Sequence, residues 1–244
     1  MIPGIYSAAT AMDRAAQRHE LIAQNLAHIN MPGYRRVTMQ QQTFEASLDA
    51  ELQEQFAFDS LGTTSDGPSV DFTQGRFEHT NQPLDFAIQG DGFFAIETPN
   101  EILYTRNGAF HLNNDGRIVT ADGYPVASDG GTLTLPPTAS TAQLDVSTDG
   151  TAMVNGVQSG KLKVVRFMDP HALEAKGITL YSAPPEAGEQ DTDANVLQGT
   201  REHSNVHPVQ ELVDMIAAAR AHESAQKAMN TITSAIENHT NLRG

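Results

Sequence analysis

The first run with the spacing for chemistry is Leu84-Asp85-Phe86-Ala87-Ile88-Gln89-Gly90-Asp91-Gly92-Phe93-Phe94-Ala95, which contains G-x-G-x-x-A. A dinucleotide fingerprint of that form needs a helix beginning at the glycines, so that its first amide groups can hold a pyrophosphate. Here Phe93 to Thr98 looks like a second strand, so the run reads as a Gly-rich turn between two strands. His111, Asn113, Asp115, Gly116, Ile118 and Asp122 are spaced like part of a calcium-binding EF-hand loop. Yet His takes the first position and Asp the twelfth, where a bidentate Glu belongs, and flanking helices are missing. Two successive hairpin turns account for the same residues.

The nine histidines show no clustered ligand spacing. His19 and His222 fall on helical seams, where packing is the plainer role. His203, Ser204, Asn205 and His207 stand at a helix start, where capping is expected. Cysteine is absent, which excludes disulfides, zinc–thiolate sites and thiol catalysis. Nothing marks a nucleophile elbow. Asn238-His239-Thr240 fits a glycosylation sequon but lies on a helix needed for packing. No catalytic residue, cofactor or metal site is assigned, and the chain is expected not to be an enzyme. The alternative from another class is a secreted calcium-dependent binding or adhesin-like β module, which would need convergent acids, whereas these acids are dispersed on turns and linkers.

The elements that carry these residues follow from the periodicity. Ile5, Ala8, Met12, Ala15, His19, Ile22, Leu26 and Ile29 alternate three and four apart, the seam of a packing helix. Ala9, Ala16 and Ala23 flank it and allow close approach. Pro3 suits the start and Pro32-Gly33 the stop, giving about 27 residues and a rod of ~40 Å. A second seam runs through Leu212, Met215, Ala219, His222, Ala225, Met229, Ile232 and Ile236, with His207-Pro208 as N-cap and first residue. Ile5, Met12, Ile22, Leu26, Ile29, Leu212, Met215, Ile216, Met229, Ile232 and Ile236 are the expected assembly interface. Both seams are thinly apolar, so the helices should gain order from neighbouring subunits.

Between the ends, Phe44, Leu48, Leu52 and Phe56 predict one short amphipathic helix. Short alternating runs then dominate: Leu84–Gln89, Phe93–Glu97, Ile102–Thr105, Ile118–Ala121, Leu162–Phe167 and Ile178–Tyr181. Asn107-Gly108, Asp115-Gly116, Asp122-Gly123, Asp129-Gly130, Asp149-Gly150 and Asn155-Gly156 punctuate them and predict positive-φ hairpin turns. Ala183 to Asn205, opening with Pro184-Pro185, reads as an acidic return linker. The predicted fold is α+β, a discontinuous helical domain of paired N- and C-terminal helices with a central antiparallel β domain. Its parts are the first helix over 1–36, a short helix and extended linker over 37–80, the β domain over 81–183, the linker over 184–205 and the last helix over 206–244.

The formal charge is −15, and the two ends are nearly neutral: residues 1–36 carry +2 and 207–244 carry −1, leaving −16 on the middle. So acidic a middle disfavours nucleic acid and anionic membrane surfaces. Apolar residues make up only 39 % and there is no Trp, which predicts a modest core supplemented by contacts with other chains. The first twenty residues lack the basic and apolar regions of a cleavable secretory signal, and no stretch approaches the ~20 apolar residues of a membrane span.

Leu21-Ile22-Ala23-Gln24-Asn25-Leu26-Ala27-His28-Ile29-Asn30-Met31-Pro32-Gly33-Tyr34-Arg35 resembles the amino-terminal signature of the flagellar basal-body rod and hook family, with Gln24, His28 and Met31 as departures. Leu84–Phe94, Tyr104-Thr105-Arg106-Asn107-Gly108-Ala109-Phe110 and Ile118–Val126 resemble its central β motif. Ser204-Asn205-Val206-His207-Pro208-Val209-Gln210-Glu211-Leu212-Val213-Asp214-Met215-Ile216 resembles its carboxyl-terminal signature. The matching residues singled out are Asn25, Leu26, Ala27, Gly33, Tyr34, Gly90, Gly92, Phe93, Phe94, Ser204, Asn205 and Val206. The resemblance implies a structural subunit of the periplasmic rod, of proximal or distal type. It also implies helical self-assembly, other rod and hook proteins as neighbours, type III export without a cleaved signal, and torque transmission.

Overall fold

Glycine turns and short apolar runs set the middle of the chain, and two long seams set its ends. The computed structural model describes residues 2–41, 65–129, 131–135, 143–192 and 194–241. The predicted helix around Phe44, Leu48, Leu52 and Phe56 lies outside the described residues, as does Gly130. Two compact units form: Met1–Ala27 with Val37–Asp71 and Val206–Gly244, and His28–Arg36 with Phe72–Asn205.

The helical unit contains α1 (Ile2–Ala27) and α2 (Pro208–Asn241). It also holds an antiparallel pair, β1 (Val37–Gln41) with β2 (Ser65–Val70), in the register Val37↔Val70. α1 stops at Ala27, earlier than the period predicted, so Ile29 falls in the turn beyond it. Pro32 disfavours helix at Met31, and Gly33 turns the chain with φ of 68°.

The other unit is antiparallel throughout its paired strands. β3 (Phe77–His79), β4 (Phe86–Gln89), β5 (Phe93–Glu97) and β6 (Ile102–Thr105) come first. β7 (His111–Leu112), β8 (Ile118–Val119), β9 (Ala127–Ser128) and β10 (Gly131–Thr132) are short. β11 (Leu144–Val146), β12 (Thr151–Val154), β13 (Val157–Lys161) and β14 (Val164–Phe167) follow. β15 (Glu174–Ala175), β16 (Leu180–Ser182), β17 (Glu189–Asp191), β18 (Asn195–Gln198) and β19 (Thr200–Glu202) complete the set. The largest sheet has the order β15-β16-β6-β5-β14-β17. Phe86, Ile88, Phe94, Ile96, Phe110, Ile118, Val126, Leu133, Leu162 and Val196 belong to one buried cluster. Phe94 meets Phe110 edge-on with ring centroids 5.3 Å apart, a geometry aromatic quadrupoles favour.

Three predicted features need correction. The stretch 184–205 is not a linker: β17 pairs with β14, β18 with β4 and β19 with β3. Its inward positions are mostly polar (Thr200, Glu202 and Ser204 are buried), so a hydrophobic alternation could not reveal it. The expected linker over 37–80 likewise contains β1, β2 and β3. The β region therefore extends beyond 81–183 at both ends. Third, Asn107-Gly108 is not a positive-φ hairpin turn. Gly108 is needed because a Cβ there would collide with the Phe86 carbonyl. Gly116, Gly123, Gly150 and Gly156 do take positive φ.

Candidate assembly interface and the clasp of the β unit

α1 and α2 run antiparallel. Gly4 lies beside Ile232, Arg18 Nη2 is 3.7 Å from Asp214 Oδ1, and Asn25 Nδ2 donates to Glu211 Oε2 at 3.4 Å. The contact is built of small side chains, with Ala8, Ala15, Ile22 and Ala218 buried. Ala15, Ala16, His19, Ala218, Ala219, His222 and Glu223 line a cleft of about 400 Å³ between the helices. His19 is exposed, unlike the packed seam residue expected of it, while His222 is half-buried.

Ile22 is buried, while Ile5, Met12, Leu26, Ile29, Met215, Met229 and Ile232 are half-buried. The side chain of Ile236 is outside the described residues. Leu212 and Ile216 are 52 % and 55 % exposed, because Glu211 and Ala218 occupy the inward face of α2 in their place. Val209 and Val213 are exposed as well, so 209, 212, 213 and 216 form an apolar stripe at helical spacing. Tyr6 is 68 % exposed on α1.

Asn25 shows why an amide is needed at the end of α1. Its Nδ2 donates to the Val37 carbonyl and its Oδ1 accepts from the Val37 amide, both at 2.9 Å. The side chain thus satisfies both backbone groups of Val37, as a strand partner would. Leu26 and Ala27 complete that turn of helix, and Val206 is buried where the chain enters α2.

The remaining singled-out residues meet inside the β unit. Arg35 Nη2 and Glu202 Oε1 are 2.6 Å apart with both side chains fully buried. The same oxygen accepts from the Gly75 amide at 2.8 Å, and the Glu202 carbonyl accepts from the Gly33 amide at 2.9 Å. A Cβ at Gly33 would collide with the backbone of Arg106 and Asn107, so only glycine fits. Arg106 Nη1 donates to the Gly90 carbonyl at 2.9 Å and lies 4.0 Å from Glu202 Oε2, and its guanidinium sits 5.1 Å from the Phe93 ring centroid. Burial and the Arg35 charge push Arg106 below its ordinary value, with Glu202 and Asp91 opposing. Asn205 Oδ1 accepts from the Arg36 amide at 2.7 Å, and its Nδ2 donates to Thr73 Oγ1 at 3.0 Å. Asn205 was expected to cap the last helix; its side chain instead joins these two segments. Gly90 turns with φ of 103°, Gly92 packs against Val164, and Tyr34 and Phe94 are buried.

The clasp is a structural arrangement: one carboxylate, two guanidiniums and several backbone groups drawn from residues 33–36, 73–75, 90–106 and 202–205. Glu202, its centre, escaped the sequence reading. Its signal was the period-two run Val196, Thr200, Glu202, Ser204, which is mostly polar.

Residues 87–154 match the flagellar hook protein FlgE/F/G D1 domain, and 197–242 match the flagellar basal body rod FlgEFG protein C-terminal region. The chain is 30 % identical to the flagellar basal-body rod protein FlgG of Buchnera aphidicola, over 95 % of this chain and 96 % of that protein. The chain belongs to the flagellar basal-body rod protein family. FlgF of Caulobacter vibrioides is 33 % identical over 86 % of this chain and 85 % of its own length. FlgG of Bacillus subtilis is 30 % identical over the full length of both. Clasp residues 90–106 and 202–205 lie within the family-matched stretches, whereas 33–36 and 73–75 lie outside them. No described helix is long and apolar enough to cross a membrane.

Proposed function

We propose that the chain is a structural subunit of the flagellar basal-body rod, polymerising helically through a discontinuous domain made of its two terminal helices. The observation that carries this is the helical unit itself. Its internal contact is built largely of alanine, while Val209, Leu212, Val213, Ile216 and Tyr6 stay exposed. Burying a Leu or Ile of that kind stabilises by about 1.5–3 kcal/mol. A stripe of four such residues is therefore a substantial drive toward contact with further copies and with other rod and hook subunits. In this reading the subunit reaches the periplasm through the flagellar export apparatus, and the finished rod transmits torque. A buried, ion-paired clasp within the β unit suits a part that must resist load.

Deleting the gene should leave truncated rods in purified basal bodies; intact rods with normal swimming would refute the proposal. Leu212→Asp with Ile216→Asp separates assembly from folding. Both side chains are half exposed, so the monomer should keep its stability while failing to enter the rod. Normal incorporation of that variant would show that this face of α2 is not the interface.

A further inference from the structure

Two Asn-Gly dipeptides occur in this chain, and the fold treats them oppositely. Asn107-Gly108 is locked. The Asn107 amide donates to Thr105 Oγ1 at 3.0 Å, and its Oδ1 accepts from the Ala109 amide at 3.0 Å. The Gly108 carbonyl accepts from the Phe86 amide at 2.9 Å, and Gly108 itself is buried. Asn155-Gly156 is open. It forms the two-residue turn between β12 and β13, closed by the pair Val154↔Val157. Asn155 and Gly156 have φ of 53° and 78°, both are exposed, and a Cβ on Gly156 would meet nothing within 4 Å. Among the described residues, no hydrogen bond engages the Asn155 side-chain amide.

We propose that Asn155-Gly156 is a site of spontaneous modification, at which the asparagine converts to aspartate and isoaspartate in the folded subunit. The Gly156 backbone nitrogen attacks Asn155 Cγ, forming the new C–N bond of a five-membered imide. The C–Nδ2 bond breaks, and Nδ2 leaves as ammonia with the proton from the Gly156 amide. Solvent water then opens the imide at either carbonyl, giving an aspartate or its β-linked isomer. Glycine is required on the attacking side because a Cβ would crowd the ring closure, and its backbone can leave the turn conformation at low cost. At Asn107 the same attack must first break the bond to Ala109 and pull Gly108 away from the Phe86 backbone.

The product changes the hairpin. The β-linked isomer lengthens the backbone by one carbon, so a two-residue turn no longer holds Val154 opposite Val157. Either product adds a negative charge to a chain already at −15. In a subunit that stays assembled, the modified fraction records its age. The inference stands on the hairpin alone and is independent of the assembly reading.

The test is peptide mapping by mass spectrometry of the full chain, incubated at mildly alkaline pH below its unfolding temperature, with isoaspartate methyltransferase labelling of the products. Native protein should convert Asn155 about tenfold or more faster than Asn107, equivalent to about 1.4 kcal/mol of barrier. In urea the two rates should converge, because the protection at Asn107 is tertiary. Asn155→Gln, whose longer side chain closes the ring poorly, should abolish the product in that peptide. Equal rates in the native chain, or conversion at Asn155 only after unfolding, would overturn the proposal.

Discussion

Replacing Arg35 by Met tests the clasp most directly. The substitution removes the guanidinium 2.6 Å from Glu202 but keeps an unbranched side chain of comparable length. Glu202 would then retain the Gly75 amide and Arg106, whose nearest approach is 4.0 Å. Breaking a fully buried pair from one side typically costs about 3–5 kcal/mol, because the remaining charge stays buried without its partner. With a urea slope of about 2 kcal/mol/M, the unfolding midpoint should fall by roughly 2 M. Tyrosine fluorescence is a suitable probe: there is no Trp, and four of the five tyrosines, Tyr34, Tyr104, Tyr124 and Tyr181, belong to the β unit. Glu202→Gln should be comparably harmful, since it leaves Arg35 and Arg106 as buried like charges. The double variant should cost less than the two single losses combined, with a coupling of about 0.5–3 kcal/mol. A cost below about 1 kcal/mol for Arg35→Met, or strict additivity, would refute the claim that this pair holds the β unit together.

Asn25→Ala removes both bonds to Val37 and should cost about 1–3 kcal/mol, read as an earlier loss of helical circular dichroism; an unchanged transition would show that β1 holds itself. Gly108→Ala should prevent the β unit from closing, because the new Cβ meets the Phe86 carbonyl, whereas Gly123→Asn should cost only about 1 kcal/mol in open space; similar effects would contradict the packing described. Stability should also fall as pH rises above about 10. Burial holds the Tyr104 and Tyr181 hydroxyls above their ordinary value, with the Glu189 carboxylate adding to the effect at Tyr104. The unfolded chain therefore releases those protons first, and stability present below that pH is lost as it rises. Arg106, pushed the other way by burial, opposes this with one proton against two, so the net slope remains downward. Stability rising between pH 10 and 11, measured by urea titration, would contradict the burial of these tyrosines.

The sequence by itself determined the two long helices and the strand runs at β4, β5, β6, β8, β14 and β16, because each depends on a local period. It also marked the turns at Gly116, Gly123, Gly150 and Gly156, where positive φ is a property of the residue pair. The family motifs were legible as patterns of residue type. Their purposes were not. Only the tertiary structure shows that Gly33 is fixed by the backbone of Arg106 and Asn107, or that Asn205 joins Arg36 to Thr73. The stretch 184–205 looked like a linker because its buried face presents Thr200, Glu202 and Ser204, and burial of polar groups leaves no trace in an apolar pattern. Glu211 likewise sits on the inward face of α2, fully buried, where the Asn25 amide donates to it. A local period can say that a segment is helical or extended. Which polar residue turns inward depends on partners more than a hundred residues away.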